Sequence, residues 1–202
     1  MISRCSWPGE DKLTIKYHDR EWGVPVHRDR RLFEFLVLEG AQAGLSWITI
    51  LKKRQAYRAA FDRFDFNKIA DYREKKIQQL LKNEGIVRNQ LKIRAAVLNA
   101  QAFLGVCEEF GSFNEYIWQF TDGYPVTNHR KRLTDIPAKT GISDAMSRDL
   151  KMHGFKFVGS TICYAFMQAT GMVNDHTIDC FRYKEICLLN KEQENIILEE
   201  VI

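Results

Sequence analysis

The chain has 202 residues and no run of 18 apolar ones, so it lacks the material for a membrane-spanning helix, which needs about 20. No basic amino-terminal stretch followed by an apolar one marks it for export. Its five cysteines, at 5, 107, 163, 180 and 187, are odd in number and irregular in spacing, which argues against a disulfide framework and for a reducing, cytoplasmic setting. Only four prolines occur, with no Pro-rich or Ser-rich linker, no low-complexity tract and no internal repeat to mark a domain boundary. No segment keeps apolar and polar residues alternating over a strand's length, so a sheet is not expected.

What is present is an ordinary globular composition. A hydrophobic share of 45% in a chain this long suffices for one large domain or a compact two-lobed unit that buries roughly 70% of its unfolded surface. The periodicity predicts an all-α fold. Leu32, Phe33, Leu36 and Val37, then Leu45, Ile48 and Leu51, return every three or four residues, giving one or two helices over 29–61 with a break near Gly40 or Gly44. A short helix capped by Asp65 or Asn67 follows, then one over KKIQQLLK stopped by Gly85. Residues 89–110 form a core helix carrying Ile93, Val97, Leu98 and Phe103; Ser112 caps another helix, and Ser143 starts one that Gly154 ends. Between them, 121–137 reads as a loop with a short extended piece. Residues 190–202 read as a docked helix or a frayed tail. If two lobes exist, the middle of the chain, about 30–110, forms one, and the ends, 1–29 with 111–188, form the other.

The net charge of +4 is mild, but its distribution is uneven. Basic runs at 27–31, 52–54, 88–94 and 128–132 each lie near a turn and lean toward a phosphate backbone as partner.

Three local patterns carry chemistry. The stretch VNDHTIDC sets His176 and Cys180 four apart, one turn of a helix if the segment is helical, and Cys5 with His18 offers a second pair. Two thiolates and two imidazoles suit a closed tetrahedral zinc site, although the spacing matches no finger or ribbon and equally fits a buried cysteine and a hydrogen-bonded histidine. The segment GFKFVG, 154–159, joins two helical stretches; Gly154 can close the first in a left-handed conformation and Gly159 permits a tight entry to the second. Such a turn presents backbone N–H groups to a phosphate, or simply connects two helices. Glu39 falls on the apolar stripe of its helix, where a carboxylate either caps a break at Gly40 or points into a polar cavity. Trp7, Tyr17, Trp22 and Trp47 form either an aromatic pocket around it, suited to a flat cationic heterocycle, or plain core.

Over RCSWPG (4–9), YHDREWGVP (17–25), EGAQAGLSWITILKKR (39–54), GIVRNQLKI (85–93) and GFKFVGSTICYAFMQATGMVNDH (154–176) the chain resembles the DNA-3-methyladenine glycosylase I family of the helix-hairpin-helix superfamily. The resemblance implies a monofunctional, monomeric enzyme that acts on double-stranded alkylated DNA and excises 3-methyladenine and, more weakly, 3-methylguanine. It assigns one structural zinc ion to Cys5, His18, His176 and Cys180, joining the chain's two ends. The base pocket falls to Glu39, Tyr17, Trp47 and Trp22, with Glu39 as catalytic residue. The DNA-backbone contact falls to Gly154, Phe155, Lys156, Phe157, Val158 and Gly159. Lys156 is then engaged with the backbone, and no lysine takes the Schiff-base position of lyase-active relatives. Two departures stand out. Thr14 replaces a second tyrosine of the family's pocket, and Asn174, with Asp175 next to it, takes the place where broader superfamily members carry a catalytic aspartate.

The rival reading is a zinc-stabilised helical module that binds nucleic acid without catalysis. It keeps the basic runs, the hairpin and the ligands but has no use for an acid in an aromatic pocket. A cysteine hydrolase or redox enzyme is disfavoured, because no cysteine has a basic partner in the sequence around it.

Overall fold

The computed structural model describes residues 3–189, so the 190–202 segment lies outside the described residues. The chain is mostly helical. Its order is α1 (Lys12–Arg20), α2 (Asp29–Gln42), α3 (Trp47–Ala60), α4 (Phe66–Ala70), α5 (Glu74–Lys82), α6 (Gln90–Phe110), α7 (Phe113–Trp118), β1 (Val126–Thr127), α8 (Gly141–Met152), α9 (Ser160–Ala169), β2 (Val173–Asn174) and a last helical segment over 181–189. Among the described residues no helix is long and apolar enough to cross a membrane.

Helix α2 is the axis of the molecule. Every residue from Leu32 to Ala41 is buried, Glu34 and Glu39 included, and α3, α6, α7 and α9 pack around it. The carboxylate of Asp29 at its start accepts from the backbone N–H groups of Asn114 (2.8 Å) and Phe113 (3.3 Å), tying α7 to it. At its other end Lys92 Nζ donates to the carbonyls of Ala41 (2.8 Å) and Ala43 (2.6 Å), which the helix leaves without intrahelical partners. Gly44, at φ +76°, then turns the chain into α3, so the break falls at Gly44 and not at Gly40. One continuous hydrophobic cluster runs from Cys5 through these helices to Cys180.

Several boundaries differ from the sequence reading for physical reasons. Asp65, not Asn67, caps α4. Helix α5 ends at Lys82, before Gly85; the glycine is required instead by a close approach, since a Cβ there would lie 2.7 Å from Ala56 Cβ. Helix α8 starts at Gly141 because Thr140 and Ser143 form a reciprocal capping box, which places Ser143 inside the first turn. Leu98 faces outward on α6, 44% exposed. A sheet does form, though a minimal one: β1 and β2 pair in parallel, Val126 with Val173 and Thr127 with Asn174, and an Arg130–Thr177 bridge extends the contact.

In the hairpin between α8 and α9 the left-handed residues are Gly154 (φ +92°) and Phe157 (φ +55°), whereas Gly159 has φ −64° and needs no glycine for its backbone. Asn99 of α6 grips this hairpin from beneath, accepting from the Lys156 N–H (2.7 Å) and donating to the Lys156 carbonyl (3.0 Å).

Candidate active site and metal centre

The structure brings Glu39, Tyr17, Trp22 and Trp47 to one cavity of about 270 Å³, together with Trp7, Gln42, Leu133, Ile136, Ala165 and Gln168. This volume lies just below the usual 300–1,000 Å³ range of ligand pockets and suits one flat heterocycle. Each wall comes from a different element. Tyr17 stands on α1, Glu39 on the last buried turn of α2, Trp47 at the start of α3, and Ala165 with Gln168 on one face of α9. Tyr17 and Trp47 meet at 5.3 Å between ring centroids, and Trp7 packs edge-on against Tyr17 (6.3 Å) and Trp22 (5.1 Å). The indole N–H groups of Trp7 and Trp47 are buried without an acceptor among the described residues. Thr14 does not line the cavity; its backbone N–H and its hydroxyl both donate to Asp11, the cap of α1.

Glu39 is only 4% exposed. Burial pushes its carboxyl pKa up to about 8, and the positive charge of Arg54 offsets this only in part. Its surroundings therefore favour the protonated acid near neutral pH. Burial also raises the Tyr17 hydroxyl well above its ordinary value, with the neighbouring Glu39 adding to the effect.

Arg54 is the residue the sequence reading missed. It belongs to the basic run 52–54, yet it is buried and joins the three elements that carry the pocket, through Nε to Glu34 on α2 (2.7 Å) and Nη1 to Glu21 just past α1 (2.9 Å). Arg31 pairs with the same two glutamates, and Arg130 of the fourth basic run donates to Asp175. Lys92, Arg54, Arg31 and Arg130 thus serve internal contacts, and the basic runs cannot be counted whole toward an external polyanion. Apart from the Arg31–Glu34 pair, the local sequence does not signal this, because the partners lie up to 51 residues away.

The four predicted metal ligands also converge. Cys5 Sγ lies 3.5 Å from His176 Nδ1, and Cys180 Sγ lies 3.6 Å from both His176 Nδ1 and His18 Nε2; all four donor atoms fall within 4.8 Å of one another and all four residues are buried. The segment 176–180 is a turn, not a helix; the Cys180 N–H donates to the Thr177 carbonyl (2.8 Å), which curls both side chains inward. Each imidazole is oriented through its other nitrogen. His18 Nδ1 faces Asp19 (2.8 Å), itself clamped by Arg4, and His176 Nε2 faces the Trp22 carbonyl (3.1 Å). These contacts leave His18 Nε2 and His176 Nδ1 as lone-pair donors toward the thiols. The Cys5 thiol draws the Cys180 pKa far down, with His176 and His18 adding, and is itself pushed far up by that contact and by burial. The set can hold a metal ion.

Asn174, by contrast, does not reach the pocket. It is fully buried, donates to the Tyr183 carbonyl and accepts from the His176 N–H. The hairpin residues 154–159 lie beside the cavity-bearing helix: a Cβ on Gly40 would sit 3.3 Å from Phe157 Cβ.

A hairpin between two helices beside an acid-bearing aromatic pocket suits a protein that takes up a flat base, whether as binder or as enzyme. The comparisons with known proteins narrow this. A family model described as methyladenine glycosylase matches residues 7–183, and the chain belongs to that family. It is 48% identical over 182 residues to DNA-3-methyladenine glycosylase 1 of Escherichia coli (strain K12), covering 90% of this chain and 97% of that one. A crystal structure of a 3-methyladenine DNA glycosylase I superposes with a TM-score of 0.86 at 52% identity, covering 89% of this chain and 98% of that one. A glycosylase of the same name solved in complex with 3-methyladenine gives a TM-score of 0.86 at 34% identity over 88% and 96% of the two chains.

Proposed function

We propose that this protein is a monofunctional DNA glycosylase that hydrolyses the N-glycosidic bond of 3-methyladenine, and more weakly 3-methylguanine, in double-stranded alkylated DNA and leaves an abasic site. The observation that carries this reading is a buried carboxyl group without a fixed partner, Glu39, set in an aromatic-walled cavity of base size. A non-catalytic binding module would leave that acid unexplained, since burying a carboxyl without a partner costs stability.

The chemistry follows from the charge of the substrate. Methylation at N3 makes the purine cationic and weakens its bond to the sugar, so strong acid catalysis of its departure is unnecessary. Selectivity then rests on holding a cationic ring and refusing a neutral one. In our reading the damaged base turns out of the duplex, enters the cavity against Tyr17 and Trp47 with Trp22 and Trp7 behind, and lowers the pKa of Glu39. The acid ionises, its proton leaves to solvent, and the carboxylate balances the charge of the ring inside a low-dielectric pocket. As the bond to the sugar breaks, water adds to the sugar carbon and the neutral base departs. Within the 154–159 hairpin the N–H groups of Gly154, Phe155 and Lys156 are taken up by Lys151, Leu150 and Asn99, so those of Phe157, Val158 and Gly159 hold the DNA, with the Lys156 side chain beside them; among the described residues a Cβ on Gly154 or Gly159 would meet no protein atom, which leaves that backbone open to a phosphate.

Zinc is the ion that suits Cys5, His18, His176 and Cys180. Tetrahedral zinc with Zn–S of about 2.3 Å and Zn–N of about 2.0–2.1 Å sets sulfur and nitrogen roughly 3.6 Å apart. Four protein donors fill its coordination, so it supplies structure by joining the chain's ends and takes no part in the hydrolysis. We read the chain as a single monomeric cytoplasmic unit, with 30–110 and the paired ends, 1–29 and 111–188, forming two lobes across the cavity.

Incubation with duplex DNA containing 3-methyladenine tests the reading: release of free base is expected, and tight binding without release would make the protein a binder. Zinc content measured on the same sample is expected at one per chain. Cys180→Ala should lose the metal and melt roughly 10 °C or more lower; a variant that melts normally without metal removes the structural role.

A further inference from the structure

Gln168 lies on α9 and lines the cavity one turn beyond Ala165. Its amide is oriented from behind. Nε2 donates to Asp175 Oδ2 at 2.8 Å, and Asp175, a carboxylate only 1% exposed, also accepts from the Tyr164 hydroxyl (2.6 Å), Arg130 Nε (2.9 Å) and Asn128 Nδ2 (2.9 Å). A carboxylate paired with an arginine and three neutral donors presents acceptors alone. The reversed amide would set oxygen against oxygen, so Nε2 stays with Asp175 and Oε1 is the atom left over. Oε1 takes no hydrogen bond from the described residues, and Gln168 is half-buried, open on its cavity side.

We propose that Gln168 Oε1 is a specificity-determining acceptor for an exocyclic N–H of the bound base, and that Asp175 is the positioning residue that fixes it. This rests on the cavity being the base site, and adds a discriminating group to it. Adenine carries an amino donor at position 6 where guanine carries a carbonyl acceptor. The adenine lesion therefore donates to Oε1, while the guanine lesion sets two acceptors against each other, an arrangement that polar sites penalise strongly. Asp175 also holds Arg130 and Asn128, which lie just ahead of the pocket-lining Leu133 and Ile136, so one buried carboxylate sets both the amide and the adjoining loop.

Single-turnover excision from duplexes carrying 3-methyladenine or 3-methylguanine tests this. Gln168→Leu should slow release of the adenine lesion about tenfold and leave the guanine lesion unslowed, so that the preference falls at least tenfold. Asp175→Asn should lower the same ratio with Gln168 intact, because an amide at 175 lets the glutamine turn; its melting temperature and metal content serve as controls, since 175 adjoins a metal ligand. Titration of pocket tryptophan fluorescence with the two free bases should show the same loss of preference in Gln168→Leu. An equal loss on both lesions, or an unchanged ratio in Gln168→Leu, overturns the inference while leaving the base site in place. A wild-type protein that releases neither base sinks the base-site reading and this inference together.

Discussion

The two ends of α2 carry two glutamates five residues apart, each 4% exposed, and their surroundings drive them in opposite directions. At the amino-terminal end burial works to raise the pKa of Glu34, but Arg54, Arg31 and Arg58 overcome it and hold the group below the usual carboxylate range, with contacts of 2.7, 2.6 and 2.8 Å. At the carboxy-terminal end Glu39 is more deeply desolvated, meets only the partial opposition of Arg54, and rises to about 8. One helix thus carries one carboxyl held toward its ionised form and another, facing a cavity, held toward its neutral form. The difference lies in how deeply the fold desolvates each and how many cations it brings to it. The first end is complete as it stands, and the second lacks a positive partner that a cationic base would supply.

Breaking the completed end should have the largest effect. Glu34→Gln leaves Arg54 buried beside a neutral amide and is expected to cost about 3 kcal/mol or more, read as a melting temperature roughly 10 °C lower; a near-normal melt would show that the arginines find other partners. At the open end, Glu39→Gln should slow single-turnover excision of 3-methyladenine about 100-fold while DNA affinity stays within a few-fold. An unchanged excision rate would remove Glu39 from the chemistry. Gly40→Ala, next to it, presses a Cβ against Phe157 at 3.3 Å and should shift the hairpin, weakening binding to undamaged duplex a few-fold in a titration. Unaltered DNA affinity in that variant would separate the hairpin from the pocket.

Changing the pH sharpens the contrast further. Glu34 has a folded pKa below its ordinary 4.5, so its stabilisation is present above that value and fades as pH falls through the folded one. Glu39 has a folded pKa near 8, above its ordinary 4.5; between these values the unfolded chain has released the proton and the folded chain keeps it, so stability falls as pH rises. Glu39→Gln should therefore gain melting temperature over the wild type between pH 5 and pH 8, and show no gain below pH 4.5. Parallel melting curves across that range would mean that Glu39 is already ionised in the empty pocket.

The sequence made part of this comparison legible. Glu39 stood out because a carboxylate interrupted an apolar stripe, and the neighbouring aromatic residues suggested why. Glu34 lies on the same helix, and beyond the nearby Arg31 its partners are Arg54 and Arg58, 20 and 24 residues away, of which Arg54 reads in the sequence as part of a basic run leaning toward a phosphate backbone. Gln168 is not legible for the same reason, and Asp175 shows in the sequence only as the neighbour of Asn174: an amide and a carboxylate seven residues apart gain significance only when Asn128 and Arg130 arrive from across the fold. The cysteines and histidines were recognised as a possible quartet, but through a helix over 176–180 that the structure replaces with a turn.

Local physical chemistry therefore determined most of the helices, the cap at Ser112, the left-handed corner at Gly154 and the list of residues able to ligate, stack or ionise, because each depends on neighbours within a few positions. Only the tertiary structure decided which groups are ionised and which are merely buried. Charge state inside a protein depends on desolvation and on the few cations or donors within several ångströms, and those arrive from segments that the order of the chain keeps far apart.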